Sequence, residues 1–183
     1  MCGRYFVEMD EREMVLILAR APGDVRTGEV FPGDTAAAVS RSGEVTAMRW
    51  GFEGYDKKSL LINARSETAS EKRTFAQAMR TGRCLIPASR YFEWERSGGE
   101  KIKYALRPSG SGVIWLAGLS RINAATGTGD FVILTRPAWE GIRFIHDRMP
   151  VILPREACRE WLFGDSPESV LERAVGEVGF ERA

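Results

Sequence analysis

The chain has 183 residues, of which 44% are hydrophobic and 28% are charged, and its formal net charge is +1. This length and composition fit one ordinary globular domain over residues 1–183, and no stretch of the sequence resembles a transmembrane span. The N-terminus has no apolar stretch typical of signal peptides, so we expect a cytoplasmic protein with no membrane association.

The N-terminus reads Met1-Cys2-Gly3-Arg4-Tyr5. Methionine before a small residue is a substrate for methionine removal, which leaves Cys2 with a free amine beside its thiol. Such a 1,2-aminothiol condenses with an aldehyde to an imine and then closes through sulfur to a thiazolidine. The alternative is an ordinary disordered terminus. The strand-like run that starts at Tyr5 instead favours a terminus that is held in place.

The next fifty residues predict a short helix and a hairpin. Asp10 and Glu13 form a capping-box pattern, which predicts a helix that ends before Pro22. Residues 21–34 are rich in Gly and Pro and are predicted to be a loop. Two strand-like runs follow, at 35–41 and 44–50, joined at Ser42-Gly43.

The middle of the chain begins with the short apolar run Leu60-Leu61-Ile62, which predicts a buried strand that ends at Asn63. Thr68 and Glu71 then predict the start of a helix that runs to about residue 80, with Gly82 at its end.

Strand patterns dominate from residue 84 onward, at 84–87, 90–96, 101–107, 113–120 and 131–136, with turns at 97–99 and 109–112. A last helix is predicted at 154–163, with Pro in its first turn and Gly164 beyond its end. This order predicts an α+β, β-rich fold: a mostly antiparallel sheet or partly closed barrel flanked by a few short helices.

Charge is distributed unevenly along the chain. Residues 63–107 contain ten basic and five acidic side chains, whereas residues 155–183 contain four basic and seven acidic ones. The basic middle could present a face to phosphates, or it could be an ordinary solvated surface.

Polar side chains interrupt apolar patterns at three further places. Asn63 follows an apolar triplet, and Glu93 lies within the aromatic run Tyr91-Phe92-Glu93-Trp94. A buried carboxyl in such a run has a raised pKa and is suited to acid–base chemistry, but Glu93 could equally alternate outward. His146 is the one histidine of the sequence, and a lone histidine is often structural rather than catalytic.

The cysteines lie at positions 2, 84 and 158. An odd, scattered set fits a reducing compartment, and Cys84 lies in an apolar run that predicts a core position. With His146 the cysteines are four potential zinc ligands, but their spacing has no CxxC or HxxxH element, so we expect neither a metal nor a cofactor. A cysteine peptidase remains an alternative, with Cys2 as nucleophile, His146 as base, and Asn or Glu orienting it.

Taken together, several blocks of the sequence resemble the SRAP (SOS response-associated peptidase) family. They appear in family order: Cys2-Gly3-Arg4, Trp50-Gly51-Phe52, Ile62-Asn63-Ala64-Arg65-Ser66-Glu67-Thr68, Arg83-Cys84-Leu85-Ile86-Pro87, Tyr91-Phe92-Glu93-Trp94 and Ile145-His146-Asp147-Arg148-Met149-Pro150. The resemblance covers residues 2 to about 163.

The resemblance implies the β-rich SRAP fold and an activity on abasic sites in single-stranded DNA, to which Cys2 becomes covalently joined. It also implies a role in DNA damage and the SOS response that shields the lesion, nominal peptidase activity including autoproteolysis, and lyase activity. The expected partner is single-stranded DNA containing abasic sites, near the nucleoid and replication-fork proteins, and the expected state is a monomer.

The resemblance also implies roles for residues. Glu93 is the acid and base near the sugar, His146 stabilises or protonates the opened sugar, and Asn63 hydrogen-bonds the reactive terminus. DNA contacts are assigned to Arg4, Arg65, Arg73, Thr135 and Arg148. Where many members carry a Trp-bearing wedge, the loop at 53–58 is short, and Tyr55 is its one aromatic residue.

Overall fold

The computed structural model describes residues 2–56, 58–97, 99–110 and 112–183. Four positions that the sequence singled out lie outside these ranges: Met1, Lys57 in the short loop, and Gly98 and Ser111 in the two predicted turns. In the part of the chain that is described, no helix is long and apolar enough to cross a membrane.

Strands make up most of the regular structure. They are β1 (Tyr5–Val7), β2 (Gly28–Val30), β3 (Thr35–Val39), β4 (Val45–Trp50), β5 (Phe52–Glu53), β6 (Leu60–Leu61), β7 (Asn63–Arg65), β8 (Arg83–Ala88), β9 (Arg90–Ser97), β10 (Glu100–Arg107), β11 (Ile114–Ile122), β12 (Gly129–Pro137), β13 (Arg148–Pro150), β14 (Ile152–Leu153) and β15 (Gly179–Arg182). The helices are α1 (Arg12–Leu18), α2 (Arg73–Thr81), α3 (Arg155–Phe163) and α4 (Pro167–Glu172), with a 3₁₀ helix at Glu140–Ile142.

One sheet brings the N-terminus to the middle of the molecule. Its strand order is β15-β10-β9-β1-β2, and all neighbours are antiparallel. Because β1 lies between β2 and β9, the residues that precede Tyr5 enter the sheet interior rather than an edge. An N-terminal segment held between two strands has little freedom to fray.

Five of the other strands, β3, β4, β8, β11 and β12, form a partly closed barrel, and β5 and β6 pair with each other. The strand β12 pairs with β4 in parallel and with β11 in antiparallel orientation, and β4, β3, β8 and β11 continue the ring with antiparallel neighbours. The ring is closed where Val39 of β3 lies opposite Leu85 of β8. The predicted β-rich α+β fold, a partly closed barrel with short helices, is therefore confirmed.

The helix α3 packs on the barrel wall. Its Trp161 is fully buried, and the indole Nε1 donates to the carbonyl of Cys84 at 2.9 Å. Cys84 is also fully buried, which confirms its predicted core position, and burial raises the pKa of its thiol to about 12. The predicted bounds of α3 agree with the structure, with Pro154 before its first residue and Gly164 after its last.

Two helix starts predicted from capping boxes are wrong. The helix α1 begins at Arg12 without a side-chain cap, because the Glu13 carboxylate pairs with Arg155 of α3 instead of its own helix end. The helix α2 begins at Arg73. The Thr68 carbonyl accepts hydrogen bonds from the amides of Glu71 and Lys72, which form a separate turn before the helix. The ion pair with Arg155 and the separate turn at Thr68 thus replaced the caps that the local sequence predicted.

The predicted loop at 21–34 contains β2, whose three residues are paired with β1. So short a segment carries no detectable alternation, and its strand conformation comes from its partner. By contrast, the predicted hairpin of β3 and β4 is confirmed, and Gly43 in its turn has a φ of 84°, which glycine adopts without strain. The helix α4 and the strand β15 were not predicted.

Candidate active site

The strand β1 carries Cys2 into the core. Tyr5 lies opposite Tyr91 of β9, and the amide of Phe92 donates to the carbonyl of Arg4 at 2.9 Å. Cys2 is 0% exposed and belongs to the main hydrophobic cluster. The alternative of a disordered terminus is therefore wrong for Cys2. Burial raises the pKa of its thiol far above the usual range, so the thiol is neutral at physiological pH.

Glu93 lies in β9, on the strand that borders the N-terminal segment, and is 4% exposed. The alternative of an outward-facing Glu93 is therefore wrong. Burial raises the pKa of its carboxyl. The Glu93 carboxylate in turn adds to the effect of burial on the pKa of the Cys2 thiol. Glu93 thus interacts electrostatically with Cys2 and with His146.

His146 follows the 3₁₀ helix and is half-buried. Its Nδ1 lies 3.0 Å from the amide nitrogen of Arg148 and 2.9 Å from a carboxylate oxygen of Asp147. The same nitrogen cannot accept from the amide and donate to the carboxylate at once. The Asp147 side chain is 86% exposed, so we assign the amide bond as the persistent one. With Nδ1 accepting from this amide, the ring N–H lies on Nε2.

Asn63 begins β7, which runs parallel to β12. Its Nδ2 donates to the carbonyl of Ile133 at 3.4 Å, and the preceding carbonyl, of Ile62, accepts from the indole of Trp50 at 3.0 Å. The amide oxygen Oδ1 is buried and, among the residues described, accepts no hydrogen bond. A buried acceptor without a donor is costly, so Oδ1 is ready to accept a bond from a group that enters the site.

Two tyrosines that the sequence did not single out lie close to Cys2. Tyr5 and Tyr91 are fully buried, and neither hydroxyl has a hydrogen-bond partner among the described residues. Burial raises both phenol pKa values, with a further contribution from Cys2, so both hydroxyls are neutral. The spacing of Tyr91 and Glu93 is two residues, which places both on one face of a strand. That spacing is the sequence signal that could have identified Tyr91.

The predicted DNA-contacting arginines lie in different settings. Arg4 pairs with Glu29 at 2.6 Å, and Lys103 also binds the same carboxylate, which lowers the pKa of Glu29. Arg65 and Arg73 are exposed, and neither forms an ion pair within the described residues. The two exposed guanidiniums are therefore open to an anionic ligand, whereas Arg4 shares its charge with Glu29.

Arg148 and Thr135, the remaining two predicted contacts, hold the strands together in this structure. The Arg148 guanidinium binds both carboxylate oxygens of Glu67, with one bond of 2.8 Å, and donates to the carbonyl of Thr135 at 2.7 Å. Thr135 is fully buried, and its hydroxyl lies 3.5 Å from the carbonyl of Ala64. Contact of either residue with DNA stays a prediction.

Replacement of Glu67 by glutamine is expected to lower the free energy of unfolding by about 1–3 kcal/mol at pH 7, because it leaves the largely buried Arg148 without its charged partner. The hydrogen bond from Arg148 lowers the pKa of Glu67 from 4.5 to about 2. Because the pKa of Glu67 is lower in the folded than in the unfolded chain, its ionised carboxylate stabilises the fold at pH values above the unfolded pKa. This stabilisation is lost as the pH falls and the carboxylate is protonated. The difference between variant and wild type should therefore shrink as the pH falls from 4.5 towards 2.

Urea unfolding at several pH values measures this difference. The exposed Glu71 has no ion pair in the described part of the chain, so Glu71→Gln is the matched control and should change stability little at any pH. A Glu67→Gln deficit that persists undiminished at pH 3 would show that its origin is not the ion pair.

The described residues contain no cluster of three His, Cys, Asp or Glu side chains. Cys2, Cys84 and Cys158 each have a free thiol. Burial also raises the pKa of Cys158, to about 12. The side chains at the site supply a thiol, a carboxyl, an imidazole, an amide and neutral hydroxyls.

The sequence and structure were compared with known proteins. The family model described as "SOS response associated peptidase (SRAP)" matches residues 1–178. The chain is 30% identical over 176 residues to the abasic site processing protein YedK of Escherichia coli, with 88% of this chain and 79% of that protein covered. It is 33% identical over 180 residues to the abasic site processing protein YoqW of Bacillus subtilis, with 88% and 80% covered. A solved structure from Bacteroides thetaiotaomicron superposes with a TM-score of 0.80 at 22% identity, covering 99% of this chain and 91% of that one.

Proposed function

The chain belongs to the SOS response associated peptidase (SRAP) family, and from this we propose that it processes abasic sites in single-stranded DNA by joining Cys2 covalently to the open sugar. The family membership supports abasic-site processing, since the two relatives named above are abasic site processing proteins. The covalent chemistry and the role of each residue are our inference from the site.

The observation that carries this proposal is the burial of Cys2 beside a buried carboxyl. Cys2 is 0% exposed, Glu93 is 4% exposed, and the Glu93 carboxylate adds to the effect of burial in raising the pKa of the Cys2 thiol. A fold seldom places a chain terminus in its core, where the last polar groups lose their hydration. An aminothiol held next to an acid–base group is suited to capture an aldehyde.

The order of bond formation follows from the protonation states. An α-amine has a pKa of about 8, and burial favours its neutral, nucleophilic form. The thiol stays protonated because burial raises its pKa. The amine of Cys2 therefore attacks C1′ of the sugar aldehyde first, forming a C–N bond and a carbinolamine. Sulfur reacts second, when the imine is already in place.

Glu93 donates and accepts the protons in these bond-forming steps. As a neutral acid it protonates the carbinolamine hydroxyl, which leaves as water when the imine forms. Loss of water leaves a protonated imine that keeps its N–H. The Glu93 carboxylate then takes the proton of the Cys2 thiol as sulfur bonds to C1′, and the C=N electron pair returns to nitrogen, which completes a neutral thiazolidine and restores the Glu93 acid. A raised pKa suits both directions of transfer.

Asn63 and His146 orient and stabilise the reacting groups. The Oδ1 of Asn63 lacks a donor among the described residues, so it can accept from the neutral Cys2 amine and direct its lone pair. The Nε2–H of His146 can donate to the ring oxygen of the sugar as the ring opens, while the Arg148 amide holds Nδ1 at 3.0 Å.

The test is incubation of the processed protein with a single-stranded oligonucleotide that contains one abasic site. We expect a band on a denaturing gel whose intact mass equals protein plus oligonucleotide minus one water. An oligonucleotide with a tetrahydrofuran analogue has no aldehyde and serves as the control. Absence of the adduct, together with turnover of an unrelated peptide by wild type but not by Cys2→Ala, would favour the cysteine peptidase.

Phosphate binding by the exposed Arg65 provides an independent prediction. Arg65→Ala should weaken binding to intact and abasic single strands alike by several-fold at low salt, because the contact is to the backbone. The slope of log affinity against log salt should become shallower by about 0.7, the value for one phosphate contact on a single strand. Filter binding or anisotropy at several salt concentrations measures both quantities.

Arg159→Ala is the matched control, since Arg159 is also exposed but lies on α3. The control should leave the affinity and the slope as in the wild type. Identical salt slopes for Arg65→Ala and wild type would argue against a phosphate contact at this position.

A further inference from the structure

Three tyrosines are buried in the five-stranded sheet, and their hydroxyls differ in how they are bonded. Tyr5 and Tyr91 are 0% exposed, and Tyr104 is 6% exposed. The hydroxyl of Tyr104 donates to the carboxylate of Glu95 at 3.0 Å, whereas the hydroxyls of Tyr5 and Tyr91 have no hydrogen-bond partner among the described residues. Buried hydroxyls are normally bonded, so Tyr104 follows the rule and the other two depart from it.

Strand pairing places these two tyrosines on the face of the sheet that carries the candidate site. Tyr5 of β1 lies directly opposite Tyr91 of β9, and directly opposite residues of antiparallel strands project from the same face. Tyr91 and Glu93 are two residues apart on β9, so they share that face as well. The same register, continued by two residues, sets Glu93 opposite Gly3, next to Cys2.

Both tyrosines lie in the environment of the Cys2 thiol. Cys2, Tyr5 and Tyr91 belong to one cluster of buried residues in the core. Burial raises the pKa of both phenols, and the charge of an ionised Cys2 thiol raises each of them further, with an additional contribution from Glu93 for Tyr91. Both phenols therefore keep their protons at physiological pH and are available as hydrogen-bond donors.

A structural role does not account for the two hydroxyls. A buried hydroxyl without a partner destabilises the fold, and phenylalanine would fill the same space without this cost. The ring of Tyr5 packs against that of Trp50, with 5.1 Å between the ring centres, and this contact needs no hydroxyl. Polar groups kept in a core against their cost are typical of functional sites, where the partner is supplied by the reaction.

The sulfur of Cys2 is the group that requires donors during the reaction. Burial disfavours its ionised form, yet ring closure requires the thiol to lose its proton to Glu93. Negative charge on sulfur rises as the proton leaves, and it falls as the S–C1′ bond forms and the C=N electron pair returns to nitrogen. Neutral donors that are already in place stabilise such a charge strongly in a buried site.

We propose that the hydroxyls of Tyr5 and Tyr91 donate hydrogen bonds to the Cys2 sulfur during ring closure and so accelerate formation of the thiazolidine. Both tyrosines keep their protons, so Glu93 remains the group that takes the thiol proton. The inference rests on the proposed function and adds two residues that act on its second bond. The first bond, between the Cys2 amine and C1′, develops no charge on sulfur and does not use them.

Single-turnover crosslinking of Tyr5→Phe/Tyr91→Phe to an abasic single-stranded oligonucleotide tests this proposal. At each time one portion is reduced with borohydride, which traps the imine, and another is heated, which leaves only the thiazolidine. The variant should form the first bond at the wild-type rate. It should convert imine to thiazolidine more slowly by about tenfold or more, the scale for losing hydrogen bonds to a charged group. Each single variant should show a smaller loss in the same step.

Urea unfolding separates this role from a structural one. Removal of two unpartnered hydroxyls from the core should leave the urea midpoint of the double variant as high as in the wild type or higher. Tyr104→Phe is the matched control, because it removes a buried hydroxyl that is bonded to Glu95. This control should lower the midpoint and leave both bond-forming steps at their wild-type rates.

Conversion of imine to thiazolidine at the wild-type rate in the double variant would overturn the inference. Equal slowing of both steps would overturn it as well, since the tyrosines would then shape the site rather than assist the sulfur. If the double variant folded poorly, the single variants would decide by the same comparison of the two steps. Failure of the wild type to form any adduct would instead contradict the proposed function, so the two failures are distinguishable.

Discussion

Replacement of Cys2 by serine is expected to abolish the heat-stable crosslink and to leave at most a labile imine that borohydride traps. Serine keeps the α-amine, so the first C–N bond still forms, but a hydroxyl closes poorly onto an imine compared with sulfur. A retained Met1 should abolish the stable adduct as well, because the amine and the thiol would then no longer belong to one residue. Gel analysis with and without borohydride separates the imine from the thiazolidine.

The matched control is Cys84→Ser, which alters another fully buried thiol that is remote from the N-terminus in sequence. It should lower stability through a buried hydroxyl but leave a stable crosslink. The assignment of Cys2 would be wrong if Cys2→Ala formed a heat-stable crosslink at the wild-type rate, since alanine has no group to close the ring.

Glu93→Gln is expected to slow crosslinking by about 10² or more, the usual scale for the loss of a general acid or base. Glutamine keeps the shape and some hydrogen bonding but cannot transfer a proton. Release of a preformed adduct should slow as well, because the reverse reaction uses the same proton transfers. Labelling of Cys2 by a small reactive aldehyde that needs no ring opening should be affected much less.

Glu95→Gln is the control for this prediction. Glu95 lies two residues further along β9, where its carboxylate accepts from the hydroxyl of Tyr104 at 3.0 Å. Its replacement should not change the crosslinking rate. If Glu93→Gln slowed crosslinking and small-aldehyde labelling equally, Glu93 would hold the terminus in place rather than transfer protons.

Glu93→Gln is also expected to increase the free energy of unfolding at neutral pH. Burial raises the pKa of Glu93 in the folded chain above its unfolded value. A group with a raised pKa binds its proton more tightly when folded, so its ionisation destabilises the fold as the pH rises through both values. Glu93→Gln removes this cost, and the gain should disappear below about pH 4, where the carboxyl is protonated in both states. Opposite effects on stability and activity would indicate a group retained for chemistry.

The sequence was sufficient to predict features that depend on nearby residues. Strands β8 to β12 and the helix α3 were predicted because their alternation, turn residues and flanking Pro and Gly are local signals. The family was also predicted, because short motifs such as Cys2-Gly3-Arg4 can be recognised in the sequence without a structure. The roles of Asn63, Glu93 and His146 remain predictions that the experiments above address.

The tertiary structure decided what depends on distant partners. The burial of Cys2 and Glu93 follows from the placement of β1 between β2 and β9. Glu67 and Arg148 are 81 residues apart in the chain, and their ion pair could not be seen in either segment alone.

A cavity of about 960 Å³ beside α2 has the same origin. Arg41, Arg73 and Arg121 come from a turn, a helix start and a strand that the barrel brings together. Propensity and periodicity act over a few residues, whereas burial, ion pairing and cavities depend on which segments meet. The local pattern therefore determined most of the strands and the motifs, and only the assembled sheet and barrel decided which charges are neutralised by ion pairs and which stay exposed.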